Sequence, residues 1–259
     1  TGQQRAVSLL DEVEWQKPLA YALAWLRVSG GNSVLPPWVG LTYPKTREVI
    51  TFLRDIPCGD PECAWCREQH NLLELLPKYF PGITSFRKAP STDDGRSLQQ
   101  VIVEHGFAGI SSLAVLPTGG GKSLCYQLPA LARYYRNGSL TVVISPLQSL
   151  MKDQVDNLRR RGIIAAAIYT GKTQREIVAT LDNCILGRTK LLYISPERIA
   201  SELFQTKLKH MKVSLITVDE AHCISQWGYD FRPSYLNIAE IRNIKPDVPI
   251  LALTATATE

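Results

Sequence analysis

Leu113-Ala-Val-Leu-Pro-Thr-Gly-Gly-Gly-Lys-Ser-Leu124 reads as a short apolar strand, a glycine loop and the start of a helix. Glycines let a backbone curl closely around an anion, and the N–H groups at a helix start point toward it. In this order the parts make a phosphate loop. Thr118, Gly119, Gly120 and Gly121 would form the cradle, Lys122 would reach the β and γ phosphates of ATP, and the Ser123 hydroxyl would ligate Mg2+. Leu116 stands where the strict pattern asks for glycine. Outward from the loop, apolar runs at 113–116, 140–145, 163–169, 190–195, 213–219 and 250–254 alternate with helix-length segments at 122–136, 147–161, 173–186 and 197–210. Strands that are apolar throughout and separated by helices predict an α/β fold with a parallel sheet covered on both faces. In such sheets ligands bind beyond the carboxyl ends of the strands.

The informative residues fall at those ends. Val213-Ser-Leu-Ile-Thr-Val-Asp219 runs into Glu220-Ala-His222. An aspartate at the tip of a buried strand beside a phosphate loop holds Mg2+. Glu220 would then orient and deprotonate the attacking water, and His222 would couple the site to bound nucleic acid. Just downstream, Gln226, Trp227, Tyr229, Phe231 and Arg232 crowd together. Planar rings at such a place stack on bases, at about 1–3 kcal/mol each and without regard to sequence. Core packing is the alternative use of Trp227 and Phe231, and Arg232 could pair with phosphate. Ser145 and Pro146 end another buried strand before a helix whose start could hold a phosphate, with Lys152 adding a backbone contact. A capped helix with a solvated face is the plainer alternative. Thr170 and Gly171 end the next strand and could touch the same nucleic-acid strand. The Arg159–Arg161 run reads as a solvated helix end favoured by the helix dipole.

Longer stretches carry a resemblance. Leu116-Pro-Thr-Gly-Gly-Gly-Lys-Ser-Leu-Cys-Tyr-Gln-Leu-Pro-Ala130, Ser145-Pro-Leu-Gln-Ser-Leu-Met-Lys-Asp-Gln-Val155, Leu192-Tyr-Ile-Ser-Pro-Glu-Arg198, Asp219 to Pro233 and Leu251-Ala-Leu-Thr-Ala-Thr-Ala257 resemble the nucleotide loop, motif Ia, the next shared segment, motif II with its aromatic loop, and motif III of the RecQ family. The resemblance spans roughly Tyr79 to Glu259. It implies a RecA-like lobe of a superfamily-two DEAH-box motor, with ATP and Mg2+ as cofactors and single-stranded or forked DNA as partner. It also implies 3′ to 5′ movement on single-stranded DNA, with Thr254 and Thr256 of motif III at the nucleic-acid face. RecQ-like proteins place Phe-Arg and a nearby Gln upstream of the loop for the adenine. Phe86 and Arg87 match, but Lys88–Arg96 intervenes before Gln99, the expected reader, with Gln100 one position further on. Two rivals remain open: a translocase on duplex DNA, and a DNA-binding subunit of a larger defence or DNA-modification complex.

Residues 1–75 have a different character and predict a smaller, mainly helical accessory domain ahead of the lobe at 76–259. Helices are expected over 19–26, 46–53 and 71–76, the last closed by Pro77. Cys58, Cys63 and Cys66, followed by His70, have spacing suited to a structural zinc, to plant-type iron–sulfur ligation with a distant fourth Cys, or to chance clustering. The other three of the six cysteines read as core thiols. A net charge of +5 permits contact with a polyanion without demanding it. No long apolar run or signal-peptide pattern is present, so an intracellular protein is expected, cytoplasmic if bacterial. The chain starts at Thr1 and stops after motif III, so a piece of something longer is expected, with the second lobe and its arginine finger outside it.

Overall fold

The computed structural model describes residues 6–29, 35–57, 60, 62–225 and 232–255. The chain divides into two compact units: Thr1–Thr84 with Tyr135–Gly138, and Ser85–Tyr134 with Ser139–Glu259. Among the described residues from Val13 onward, the helices of the first unit are α1 (Val13–Ser29), α2 (Pro37–Thr42), α3 (Lys45–Arg54), α4 (Ala64–His70) and α5 (Leu72–Tyr79). Leu19 and Ala22 of α1 pack on Val49 and Ile50 of α3 to form its small core. Pro77 does not close the last helix as expected. Leu75 and Leu76 are buried, and the Phe80 N–H donates to the Leu76 carbonyl, so the turn continues past the proline.

Cys63, Cys66 and His70 do not gather into a metal site. Among the described residues no group of three or more His, Cys, Asp or Glu could hold a metal ion, and Cys58 lies outside the described residues. His70 instead sets its ring edge-on to Trp65 at 5.4 Å, with Nδ1 3.3 Å from the Arg136 guanidinium. A cationic neighbour there opposes a bound cation.

The second unit begins with α6 (Leu98–Ala108) and β1 (Ser112–Val115), then α7 (Lys122–Asn137), whose last turn belongs to the first unit. It continues through β2 (Leu140–Ile144), α8 (Gln148–Arg160), β3 (Ala165–Ile168), α9 (Gln174–Ile185), β4 (Leu191–Ile194), α10 (Pro196–Ile199), α11 (Glu202–His210), β5 (Val213–Asp219), two short 3-10 turns, α12 (Ile238–Ile244) and β6 (Ile250–Thr254). Among the described residues, six strands form one parallel sheet in the order β1-β6-β5-β2-β4-β3. Every residue of β2 and β4 is buried. Successive strand residues point to opposite faces, so both faces are covered. Val142, Ile144, Leu192, Ile194, Ile216 and Val218 pack against Ile177 and Leu181 of α9, Phe204 and Leu208 of α11, and Ile241 of α12. Tyr193 projects to the other face, against Tyr126 of α7.

Caps mark where elements start and stop. Ser97 accepts from the Gln100 N–H, Thr173 and Glu176 form a capping box, and Gly109 ends α6 with φ 80°. The helix expected over 197–210 is two pieces. Pro196 starts a single turn, and Ser201 then caps α11 by accepting from the Phe204 N–H. This is a RecA-like α/β fold, and all six strands deliver their carboxyl ends to one edge.

Candidate nucleotide site and nucleic-acid interface

After β1, the Leu116 N–H bonds the Thr254 carbonyl, which pins the loop to β6 at 2.9 Å. The chain then turns: Gly120 donates to the Pro117 carbonyl at 2.8 Å, between Gly119 at φ 76° and Gly121 at φ 78°. A Cβ on Gly120 would stand 2.8 Å from the Pro117 oxygen. Only glycine allows this curl. α7 begins at Lys122, so its first N–H groups face the concavity. Lys122 Nζ pairs with Glu220 Oε1 at 3.2 Å, and Ser123 Oγ accepts from Gln154 Nε2 at 3.1 Å. Thr118 stands exposed on the loop.

Opposite the loop, β5 ends at Asp219, one strand away from β1 because β6 lies between them. Asp219 is buried and receives the Ser145 hydroxyl at 3.4 Å and the Glu220 N–H at 3.1 Å, while Tyr235 donates to its carbonyl at 2.8 Å. Burial, and then the Glu220 charge, push the Asp219 carboxyl up to about 6, against the pull of Lys122. A buried carboxylate held this way is stabilised by a cation. A carboxylate and a hydroxyl such as that of Ser123 are the hard oxygen donors that Mg2+ takes, so the chemistry of these residues fits that metal. Glu220 sits at φ 50°, a left-handed conformation that a non-glycine residue adopts under strain. Its second oxygen lies 3.4 Å from His222 Nδ1, which is 2.8 Å from Thr254 Oγ1. Lys122, Glu220, His222 and Thr254 thus form one chain of contacts from the glycine loop to β6.

The adenine candidates also converge on the loop. The Arg87 N–H donates to Gln99 Oε1 at 2.9 Å, Gln99 Nε2 donates to the Gly121 carbonyl at 3.2 Å, and the Arg87 guanidinium bonds the Gly119 carbonyl. Gln100 turns away to Glu104. The Lys88–Arg96 insertion closes on itself through Thr92 and Arg96. Ser97 Oγ then donates to the Arg87 carbonyl at 2.6 Å, which returns Gln99 to Arg87 despite the extra residues. Phe86 is buried.

The nucleic-acid candidates divide. Ser145 is buried, its hydroxyl turned to Asp219. The Pro146 carbonyl accepts from Arg232 at 3.4 Å, which ties the segment after motif II to the start of motif Ia. Lys152 is exposed on α8 with Nζ 5.1 Å from the Tyr169 ring centre, and Lys172 flanks the same ring at 5.6 Å. Thr170 and Gly171 stand exposed beside them at the end of β3. Gln226, Trp227, Tyr229, Phe231 and Thr256 lie outside the described residues. Sequence reasoning missed Tyr235 and Gln154. Gln154 falls inside the quoted Met-Lys-Asp-Gln-Val run, yet no local rule assigns it a partner.

The profile of the DEAD/DEAH box helicases matches residues 96–259. The ATP-dependent DNA helicase RecQ of Haemophilus influenzae is 44% identical over 190 residues, 73% of this chain and 28% of that protein. RecQ of Bacillus subtilis is 46% identical over 190 residues, 73% of this chain and 30% of its own length. The chain therefore spans about three tenths of these relatives. Among solved structures, the DUF1998 helicase MrfA bound to DNA aligns with 73% of this chain and 26% of its own, at TM-score 0.58 and 19% identity. A hypothetical ATP-dependent RNA helicase from Sulfolobus tokodaii aligns with 73% and 52%, at TM-score 0.52 and 18% identity. These two bear on the fold alone. With its motifs resembling those of the RecQ helicases, the chain belongs to the DEAD/DEAH box helicase family.

Proposed function

We propose that the protein is an ATP-dependent DNA helicase of RecQ type, this chain carrying its nucleotide-binding lobe. The observation that carries this reading is the convergence of Lys122, Ser123, Asp219 and Glu220 on one glycine loop. The backbone of Thr118–Ser123 would cradle the phosphates of ATP, with Ser123 and Asp219 holding Mg2+ and Arg87 and Gln99 facing the base. The bound metal neutralises charge on the phosphate oxygens. Lys122 would exchange Glu220 for a phosphate oxygen, leaving the Glu220 carboxylate to orient water and accept its proton. His222 would relay the state of the site to Thr254 of motif III. Single-stranded DNA would lie over the strand ends, against Lys152, Thr170, Gly171 and Arg232 and the Gln226–Phe231 aromatic loop.

The test uses the full-length protein. ATP hydrolysis is measured with single-stranded DNA, duplex DNA and RNA, beside Lys122→Ala. Strand displacement is then measured on duplexes with 3′ or 5′ tails. Stimulation by single-stranded DNA that Lys122→Ala abolishes, with unwinding only from the 3′ tail, is the expected result. Stimulation by duplex alone, with no displacement, refutes the helicase reading and leaves a translocase.

A further inference from the structure

Gln154 ties the glycine loop to α8, the helix that follows Ser145-Pro146, and the reading above gives it no role. Its Nε2 donates to Ser123 Oγ at 3.1 Å. Its other end is braced: Gln127 Nε2 donates to Gln154 Oε1 at 2.8 Å and also to the Tyr193 hydroxyl at 3.2 Å. Tyr193 in turn meets the Tyr126 hydroxyl at 3.3 Å. Gln127, Tyr126 and Tyr193 are all buried, so the brace sits in the packed face of the sheet and not in mobile surface. A carboxamide has one accepting end and one donating end. With the Gln127 N–H on its oxygen, Gln154 presents its nitrogen to Ser123.

That orientation has a chemical consequence. A serine hydroxyl has one proton and two lone pairs. Gln154 fills one lone pair, which leaves the other for a cation and turns the proton away from it. A different partner at this position, one accepting from Ser123, would free both lone pairs and lose the orientation. Partners that orient a ligand are worth 10–100-fold in metal affinity when removed. We infer that Gln154 is a positioning residue for the Mg2+ site, holding the Ser123 hydroxyl in its metal-accepting orientation from α8. The inference rests on reading Ser123 as a metal ligand. It also places the nucleotide site and the helix of motif Ia on one hydrogen-bonded chain, so that a displacement of α8 reaches the metal ligand directly.

The measurement is equilibrium binding of a fluorescent ATP analogue to the full-length protein, titrated with Mg2+ and repeated in EDTA. Gln154→Met keeps the length of the side chain and removes both hydrogen bonds. It is expected to raise the Mg2+ concentration for half-saturation about 10–100-fold, while affinity in EDTA stays within about twofold. Gln154→Asn, one methylene short of Ser123, is expected to shift it the same way and stands in if the methionine variant unfolds. Gln127→Met, which loosens the brace alone, should shift it by a smaller factor. Wild-type Mg2+ dependence in Gln154→Met and Gln154→Asn, with a clear shift in Ser123→Ala, overturns the proposal. An unshifted Ser123→Ala, by contrast, overturns the reading of Ser123 itself and the proposal with it. Equal loss of affinity with and without Mg2+ would mark Gln154 as merely structural and also refutes it.

Discussion

Gly119 and Gly121 have nearly the same backbone, φ 76° and φ 78°, but different surroundings. A Cβ on Gly119 would meet nothing within 4 Å, whereas one on Gly121 would stand 2.3 Å from Gln99 Nε2 and 3.4 Å from Arg87 Nε. Alanine at either position incurs the left-handed penalty of about 1–2 kcal/mol. At 121 the methyl must also drive out the Gln99 carboxamide, which is 3% exposed. Expelling it breaks the bonds to the Gly121 carbonyl and from the Arg87 N–H, at about 1 kcal/mol each. Gly121→Ala should therefore destabilise by about 2 kcal/mol more than Gly119→Ala, roughly 30-fold in the folded-to-unfolded ratio. Urea unfolding of both variants measures the gap, and Gln99→Ala tests its source. In the Gln99→Ala background the two alanines should cost the same. Equal costs in the wild-type background, or a gap that survives Gln99→Ala, would refute the claim that Gln99 is wedged against the loop.

Four further outcomes are expected. The Asp219 carboxyl is raised to about 6 from the ordinary 3.8, so the folded metal-free protein holds that proton more tightly than the unfolded chain. Its contribution to stability is fully present below about 4 and lost as pH rises through about 6, so Asp219→Asn should stabilise the metal-free protein at pH 8 and not at pH 3.5, by thermal unfolding. Mg2+-dependent nucleotide binding should weaken over the same range as pH falls, because a protonated Asp219 cannot serve as the ligand. Tyr235→Phe, which removes the hydroxyl on the Asp219 carbonyl, should cost about 1 kcal/mol in urea unfolding. Lys152→Ala should weaken single-stranded DNA binding alike for all sequences and reduce the salt slope by about 1, measured by fluorescence anisotropy.

Much of the fold could be read from local chemistry. The expected runs 213–219 and 250–254 coincide with β5 and β6, because both are apolar up to a polar or loop-forming end. Ile163–Tyr169 shortens to Ala165–Ile168, since the Ile163 N–H is taken by the Leu158 carbonyl at the end of α8. Pro77 misled because one missing N–H costs less than exposing Leu75 and Leu76. In the site, the glycine loop and Asp219-Glu220 stand out because their roles need particular residues at particular spacing. The choice between Gln99 and Gln100 does not. Neighbours on a helix point about 100° apart, and only the packed position of α6 shows which one faces Gly121. Nor does any local pattern show that the Ser145 hydroxyl meets Asp219 at the end of the neighbouring strand. Contacts between strands distant in the chain leave no periodic trace.

The place of β6 also shapes how the lobe is made. It is the last described strand in the chain, yet it lies between β1 and β5 and is the strand that β1 pairs with. At ribosomal speeds of ~5–20 residues per second, β1 emerges on the order of ten seconds before its neighbour exists. Through that interval its backbone edge stands open, the kind of surface a nascent chain loses to aggregation or lends to chaperones. A translation pause or nonsense codon ahead of Ile250 would leave a polypeptide holding every phosphate-loop residue with β1 cut off from the other four strands.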